Sequence, residues 1–211
     1  MKEYKLPIGC DVPETIILAD GDFPSHPLAL EWLRQCPYVV CCDGAANTYI
    51  RSGRMPEAIV GDGDSLLPDI KERYASLIHS EAEQETNDLS KAFRFCLSQE
   101  RKRITIMGAT GKREDHTIGN VSLLADYMEQ AEVSMMTDYG IFVPLREDSM
   151  FESYIGQQIS VFNMNSTALS AEGLAYPLSV FTNWWQGTLN EALARHFIIR
   201  TEGKVLVFRV F

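Results

Sequence analysis

The stretch YVVCCDGAANTYIRSG, residues 38–53, decides the fold. Its first five residues are apolar with no polar alternation, the pattern of a strand covered on both faces. Asp43 and Gly44 break the run, and GAANTYIRSG then reads as a helix closed by Gly53. A doubly covered strand passing straight into a helix is the repeating unit of a parallel sheet, and the pattern recurs outward on both sides. TIILAD (15–20) reads as a strand before it, followed by the helix PLALEWLRQ (27–35) with Leu28, Trp32 and Leu33 on one face. After it, AIVG (58–61), SLIHS (76–80) and RITIMG (103–108) read as strands. NDLSKAFRFCLSQE (87–100) and DHTIGNVSLLADYMEQ (115–130) read as helices, the first with Leu89, Ala92, Phe93 and Cys96 at helical spacing.

The rhythm changes after about residue 132. EVSMMTD (132–138), IFVPL (141–145), QQISVFNM (157–164), LSVFTNWW (178–185), RHFIIRT (195–201) and KVLVFRVF (204–211) follow without an intervening helix, which predicts antiparallel pairing. The expected fold is therefore α/β: a Rossmann-like N-terminal domain, residues 1–143, with a parallel sheet flanked by helices, then a small antiparallel β-sandwich domain, residues 144–211.

The 211 residues carry a formal net charge of −10, which argues against a sequence-independent nucleic-acid binder or a binder of anionic membranes. No apolar run approaches the roughly 18 residues of a spanning helix, and MKEYKLPIGCDVPETI (1–16) lacks the apolar core of a signal peptide. The five cysteines, Cys10, Cys36, Cys41, Cys42 and Cys96, form no CxxC pair, so neither a zinc site nor a disulfide framework is expected. Cys41 and Cys42 read as small buried apolar residues, and a reducing cytoplasm fits.

Ligands of an open parallel sheet gather beyond the carboxyl ends of its strands. The polar residues that stand out fall there: Asp20, Gly21 and Asp22; Asp43, Gly44 and Asn47; Asp62, Asp64 and Ser65; Glu85, Asn87 and Asp88; Lys112, Arg113, Asp115 and His116. One Asp-Gly pair after a strand is an ordinary turn. Five successive clusters mixing acids, glycines and a basic pair match a nucleotide polyphosphate. Glycines let backbone N–H groups approach phosphate oxygens, helix N-termini favour anions, and carboxylates take Mg²⁺. Asp62 and Asp64, two apart in an extended loop, are expected to reach one ion.

These residues resemble the thiamine pyrophosphokinase family over most of the chain. CDGAAN (42–47) is similar to the family's D-G-G-A-N, and VGDGDS (60–65) to its G-D-F-D-S. QETNDLSKAF (84–93) resembles its K/Q-D-x-T-D segment and following helix, and GATGKREDHTIGN (108–120) its G-x-x-G-G-R-x-D-H-x-x-x-N. GLAYPL (173–178) and TNWWQG (182–187) resemble elements of the family's C-terminal sandwich. Ala45 and Lys112 stand where the family has glycines, Gly63 where it has an aromatic, Glu85 and Asn87 where it has Asp and Thr, and Thr182 where it has Ser.

The resemblance implies transfer of the terminal diphosphate of ATP to the hydroxyl of thiamine, releasing AMP, in a cytoplasmic homodimer. It implies Asp43, Asp64, Asp88, Arg113 and Asp115 as catalytic residues and Asp62, Asp64 and Asp88 as Mg²⁺ ligands, with Asp43 or Asp64 accepting the hydroxyl proton. Gly21, Asp22, Gly44, Asn47, Lys112, Arg113, His116 and Asn120 are the expected nucleotide contacts. Thr182, Asn183, Trp184 and Trp185 are the expected thiamine contacts, cation and aromatic face matching. The competing readings are a nucleotide- or thiamine-binding regulator without turnover and a metal-dependent pyrophosphohydrolase.

Overall fold

A computed structural model describes residues 1–7, 11–81, 83 and 85–211. Cys10 lies outside the described residues, as does Gln84 of the fourth strand-end segment.

The first half runs β1 (Lys2–Tyr4), β2 (Thr15–Leu18), α1 (Pro27–Gln35), β3 (Val39–Cys42), α2 (Ala45–Arg51), β4 (Ala58–Gly61), α3 (Pro68–Arg73), β5 (Ile78–Ser80), α4 (Asp88–Ser98), β6 (Arg103–Met107), α5 (Glu114–Tyr127) and β7 (Glu132–Met136). β8 (Gly140–Leu145), β9 (Ser149–Glu152), β10 (Gln158–Asn163), β11 (Leu169–Glu172), β12 (Asn190–Glu191), β13 (His196–Thr201) and β14 (Val205–Val210) follow. Local chemistry sets the helix starts. Pro27 opens α1, with its fixed φ and missing N–H tolerated there, and the Asn87 side chain accepts from Ser90 N–H at 2.9 Å to cap α4.

Among the described residues the large sheet has the order β12-β10-β14-β8-β7-β6-β2-β3-β4-β5. From β7 to β5 every pairing is parallel. Strand period two divides the side chains between two apolar layers. Ile17, Val40, Cys42, Ile104 and Ile106 pack under α4 and α5, where Phe93 and Tyr127 stack at 3.9 Å. Ile16, Leu18, Val39, Cys41 and Ile59 pack under α1, α2 and α3, around Trp32 and Leu33. Cys41, Cys42 and Cys96 are buried as expected, and burial raises all three thiols.

EVSMMTD departs from expectation. β7 pairs parallel with β6, Ile106 opposite Met135, so it is the last parallel strand rather than the first antiparallel one. The crossover through α5 places it so, and only at Met135 opposite Phe142 does the chain turn back into β8. The division expected at 143/144 therefore falls within β8, which continues the same sheet. The antiparallel end of that sheet faces a second sheet, β1-β9-β13-β11. Ile141, Val143, Ile159, Val161, Val205 and Val207 meet Phe151, Leu169, Phe197 and Ile199 in the sandwich core.

LSVFTNWW was also expected as a strand. Residues 178–183 take no regular structure, and Trp184–Gly187 form a 3-10 turn. The Gln186 side chain turns back to accept from Thr182 and Asn183 N–H, at 3.1 and 2.9 Å, closing a capping box that competes with any ladder.

Candidate active site

Strand order reverses at β2, whose neighbours β3 and β6 lead the chain in opposite directions, and a crevice opens beyond the carboxyl ends there. Its two walls are tied at the base: Gly21 N–H donates to Gly108 O at 2.6 Å and Asp22 N–H to Thr110 O at 2.9 Å. Any side chain at Gly21 would collide, since a Cβ there would lie 2.3 Å from Thr110 O. A cleft of about 430 Å³ follows, lined from β2 by Asp20 and Gly21, from β3 by Cys42, Asp43 and Gly44, and from β4 by Asp62 and Ser65. Thr86 to Leu89 and Lys91 close the α4 side, and Ala109, Gly111, Lys112, Arg113, His116 and Asn120 the α5 side. The five strand-end clusters of the sequence thus share one cleft.

Asp43 forms its floor. It is 3 % exposed, with backbone φ of 29°, the left-handed region where a non-glycine residue is strained. Its Oδ2 accepts from Ser65 N–H at 3.0 Å, while Oδ1 is buried with no hydrogen-bond partner among the described residues. Burial pushes the Asp43 carboxyl above its usual range, the Ser65 hydrogen bond opposes this, and the charges of Asp88 and Asp62 add to the rise. A bound cation would favour the ionised form of such a group.

The donor set fits Mg²⁺. The cleft offers hard carboxylate oxygens from Asp43, Asp62 and Asp88, one of them orphaned. Among the described residues no three acids, histidines or cysteines are close enough to ligate one ion unaided. Mg²⁺ suits that arrangement, because it keeps water and shares substrate phosphates rather than demanding an all-protein cage.

Asp64 is placed differently from Asp62. Gly63 has φ of 77°, which breaks the extended alternation of the loop, and Asp64 is exposed, outside the cleft lining, with its N–H donating to Asp62 Oδ1 at 3.1 Å. Lys71 reaches over Gly63 and donates to its carbonyl at 2.9 Å. Asn47 is a brace. Its amide donates to Ser65 O at 2.8 Å and its oxygen accepts from Leu67 N–H at 3.0 Å, holding the Asp62–Ser65 loop against α2. Asp22 packs its carboxylate against Gly111 and does not line the cleft.

The basic groups differ in state. Lys112, in left-handed conformation at φ 52°, donates to Asp20 O at 2.8 Å and to Asp20 Oδ1 at 3.2 Å across the cleft mouth. Arg113 grips Asp115 through Nε and Nη2, at 3.1 and 2.6 Å. That hydrogen-bonded pair holds the Asp115 carboxyl below, and the Arg113 guanidinium above, its usual range. Asp115 itself stays outside the lining. Asn120 donates to Ala109 O at 2.9 Å and accepts from Asn87 at 3.2 Å, clasping α5 to the start of α4. Sequence reasoning missed Lys91, a buried lysine of the lining that donates to Asp88 Oδ1 at 3.1 Å. Its signal was a charged residue beside the apolar face Leu89, Ala92, Phe93 and Cys96.

None of Thr182, Asn183, Trp184 and Trp185 lines this cleft. Trp184 meets Phe162 edge-on at 6.1 Å, and Trp185 is 73 % exposed.

Comparison with known proteins bears on both regions. The family model described as thiamin pyrophosphokinase, catalytic domain, matches residues 29–136, and that described as thiamin pyrophosphokinase, substrate-binding domain, matches residues 140–208. Thiamine pyrophosphokinase 1 of Oryza sativa subsp. japonica is 30% identical over 49% of this chain and 49% of its own length. The Bacillus subtilis (strain 168) thiamine pyrophosphokinase is 34% identical over 39% of this chain and 40% of its own. The matches thus span about half the length of the curated relatives, or less. In fold the likeness is fuller. Thiamin pyrophosphokinase from Candida albicans superposes with a TM-score of 0.81 at 18% identity, covering 100% of this chain and 93% of that one, and the yeast enzyme with 0.80 at 16%, covering 100% and 91%.

Proposed function

The chain belongs to the thiamin pyrophosphokinase family, and on that premise we propose that it transfers the terminal diphosphate of ATP to the hydroxyl of thiamine, giving thiamine diphosphate and AMP. The observation that carries this reading is the cleft at the strand-order reversal, where the carboxylates of Asp43, Asp62 and Asp88 face a buried lysine and a basic loop. Acids alone would suit a metal and bases alone an anion; their combination suits a metal-bound polyphosphate.

In this proposal residues 1–143 bind ATP and Mg²⁺, and residues 144–211 bind thiamine and join two copies. Asp62 and Asp88, with Asp64 if its exposed carboxylate turns toward the cleft, would hold Mg²⁺, which would supply positive charge against the phosphates. Gly21 and Gly44 let the chain approach the nucleotide, while Asp22 and Asn47 support their loops. Lys112, Arg113, His116 and Asn120 contact ATP, with Asp115 orienting Arg113. Asp43 or Asp64 accepts the thiamine hydroxyl proton as that oxygen attacks the β-phosphorus in line with departing AMP. Positioning and charge neutralisation supply most of the rate.

Thr182, Asn183, Trp184 and Trp185 take the cationic, aromatic thiamine, the indoles offering their faces. Their absence from the cleft of their own chain supports a homodimer in which the turn of one copy serves the other. So do the exposed apolar side chains Tyr176, Val180, Trp185, Leu189 and Leu193 around that turn. Among the described residues no helix is long and apolar enough to cross a membrane. Buried free cysteines support a cytoplasmic setting, and the net charge of −10 supports the lack of a nucleic-acid or membrane partner.

The test is incubation of the pure protein with ATP, Mg²⁺ and thiamine, with thiamine omitted from a parallel sample. Thiamine-dependent release of AMP together with thiamine diphosphate is the expected result. AMP release that ignores thiamine marks a pyrophosphohydrolase, and binding without AMP release marks a regulator; either overturns the proposal.

A further inference from the structure

Two cationic side chains are fully buried among the described residues, Lys91 and Arg209. Their surroundings differ. Arg209 donates to two backbone carbonyls, Glu152 O at 3.1 Å and Lys5 O at 3.0 Å, and lies over the Phe151 ring. It clips the N-terminal segment to the sandwich, a structural task. The Lys91 ammonium donates to no backbone carbonyl among the described residues. Its side chain is 3 % exposed, and its one hydrogen-bond partner among the described residues is the Asp88 carboxylate, one turn back on α4 and 37 % exposed.

An ammonium has three N–H donors, and here one of them is matched. Burying a charge is costly unless it is paired and fully hydrogen-bonded, and one half-exposed carboxylate at i,i+3 spacing repays little of that. As a helix-stabilising pair, Lys91–Asp88 would do equally well on the surface. What distinguishes the site is that Lys91 lines the cleft. The other two cations of the lining are exposed and engaged elsewhere, Lys112 with Asp20 and Arg113 with Asp115. Lys91 alone combines burial, spare donors and a position beside the acids Asp43, Asp62 and Asp88.

We propose that Lys91 is a phosphate-binding residue: its ammonium, anchored by Asp88, donates to non-bridging oxygens of the β- and γ-phosphates of the bound nucleoside triphosphate, the group that is transferred. The proposal rests on the nucleotide reading of the cleft given above. It gives the buried charge its second partner and places a cation where negative charge is carried through the transfer. It also gives Asp88 a double duty, since Oδ1 holds Lys91 and Oδ2, which takes no hydrogen bond among the described residues, would be open to Mg²⁺.

Calorimetric titration separates the possibilities, using Mg²⁺–ATP and AMP against the wild-type protein, Lys91→Met and Lys91→Arg. Lys91→Met keeps the length of the side chain without its charge; should it fail to fold, Lys91→Gln is read in the same way. Lys91→Met is expected to weaken Mg²⁺–ATP at least tenfold and to leave AMP, which lacks the β- and γ-phosphates, within twofold. Lys91→Arg is expected to restore ATP affinity to within threefold. In turnover, Lys91→Met should lower kcat about 100-fold with the KM for thiamine unchanged. Equal ATP affinity in wild type and Lys91→Met overturns the proposal, as does a matching loss of AMP affinity, the signature of a disturbed pocket. A wild-type protein that binds no Mg²⁺–ATP overturns the nucleotide reading itself, which is a separate result.

Discussion

From Thr15 to Met136 the chain buries apolar side chains on both faces of its sheet and gathers the carboxylates and basic loop of the cleft beyond the carboxyl ends of its strands. From Gly140 onward, with β1 added at one edge, it builds a sandwich around an apolar core, and its functional candidates sit outside that core, in a turn. The first region holds Asp43 and Lys91 buried and under-partnered, with Asp43 also in left-handed backbone. The second holds Trp184 and Trp185 exposed, on a turn satisfied by its own Gln186. The second region has its own left-handed residue, Leu189, and an orphaned group of its own, Arg209 Nε, but neither lines the cleft, where strain and unpaired charge are of the kind a bound ligand relieves. A turn that is complete by itself has no such debt, and it offers surface rather than a pocket. The cleft is therefore expected to lose activity and gain stability when neutralised, and the turn to lose only substrate contact.

Asp43→Asn breaks this comparison most sharply. Turnover should fall about 1,000-fold or more, the scale of losing a group that acts on the reacting centre. Stability should move the other way. The folded-state pKa of Asp43 is raised, so between its unfolded value and that raised value the folded state holds more protons, and stability falls as pH rises through the window. At neutral pH the ionised group therefore costs stability, and the amide should raise Tm. Below the window both proteins are neutral there and the gain should vanish. Thermal melts at pH 7 and pH 3, beside the turnover assay, check both halves; a lower Tm at pH 7 would mean that Asp43 is structural.

Trp185→Ala probes the other region. An exposed indole contributes little to folding, so Tm should hold within about 1 °C. The KM for thiamine should rise about 10-fold, the worth of one cation–π contact, with ATP affinity unchanged. A loss of ATP affinity instead would place the turn in the service of the nucleotide cleft.

Much of this comparison could be read from the sequence, and its gaps have physical causes. The doubly covered strands showed because Ile16 and Ile17, or Val39 and Val40, are apolar at both parities. The cleft showed because each cluster follows a strand, and parallel strands bring their ends to one rim. β7 was misread because EVSMM has no helix after it; its direction is set by the helix before it. LSVFTNWW was misread because its side-chain cap outweighs the strand preference of Val, Phe and Trp. The 143/144 boundary fell within β8 because residue composition does not reveal that one sheet serves both regions. Lys91 escaped because burial of a single lysine beside an apolar face is a tertiary fact. Asp64 differs from Asp62 because Gly63 flips the backbone, which spacing alone does not show.

That flip suggests a smaller effect. The Lys71 ammonium bonds the Gly63 carbonyl where the resembling family pattern has an aromatic, so it steadies the loop carrying Asp62. Lys71→Met removes one hydrogen bond, worth about 1 kcal/mol. The Mg²⁺ concentration for half-maximal turnover should rise about 5-fold, with the KM for thiamine unchanged, in a Mg²⁺ titration of the assay. No change would mean that Asn47 and the Ser65–Asp43 hydrogen bond hold the loop without Lys71.

Lys112→Gly should have the smallest effect, because three modest terms oppose one another. Lys112 is the non-glycine residue that the α5 loop holds at φ 52°, at about 1 kcal/mol relative to its relaxed form. Glycine removes that strain, yet it costs roughly 0.5–1 kcal/mol more conformational entropy on folding. The bond to Asp20 is also lost, but both partners are about half exposed and a surface pair contributes about 0–1 kcal/mol. Tm should therefore stay within about 3 °C of wild type. Affinity for Mg²⁺–ATP should fall about 3-fold, since the ammonium is exposed and screened and must leave Asp20 to reach a phosphate. Raising the salt concentration should shrink even that difference, whereas the loss expected at buried Lys91 should persist. If salt erases both losses alike, burial does not distinguish the two lysines, and the contrast between strained cleft and relaxed surface fails at its most sensitive point.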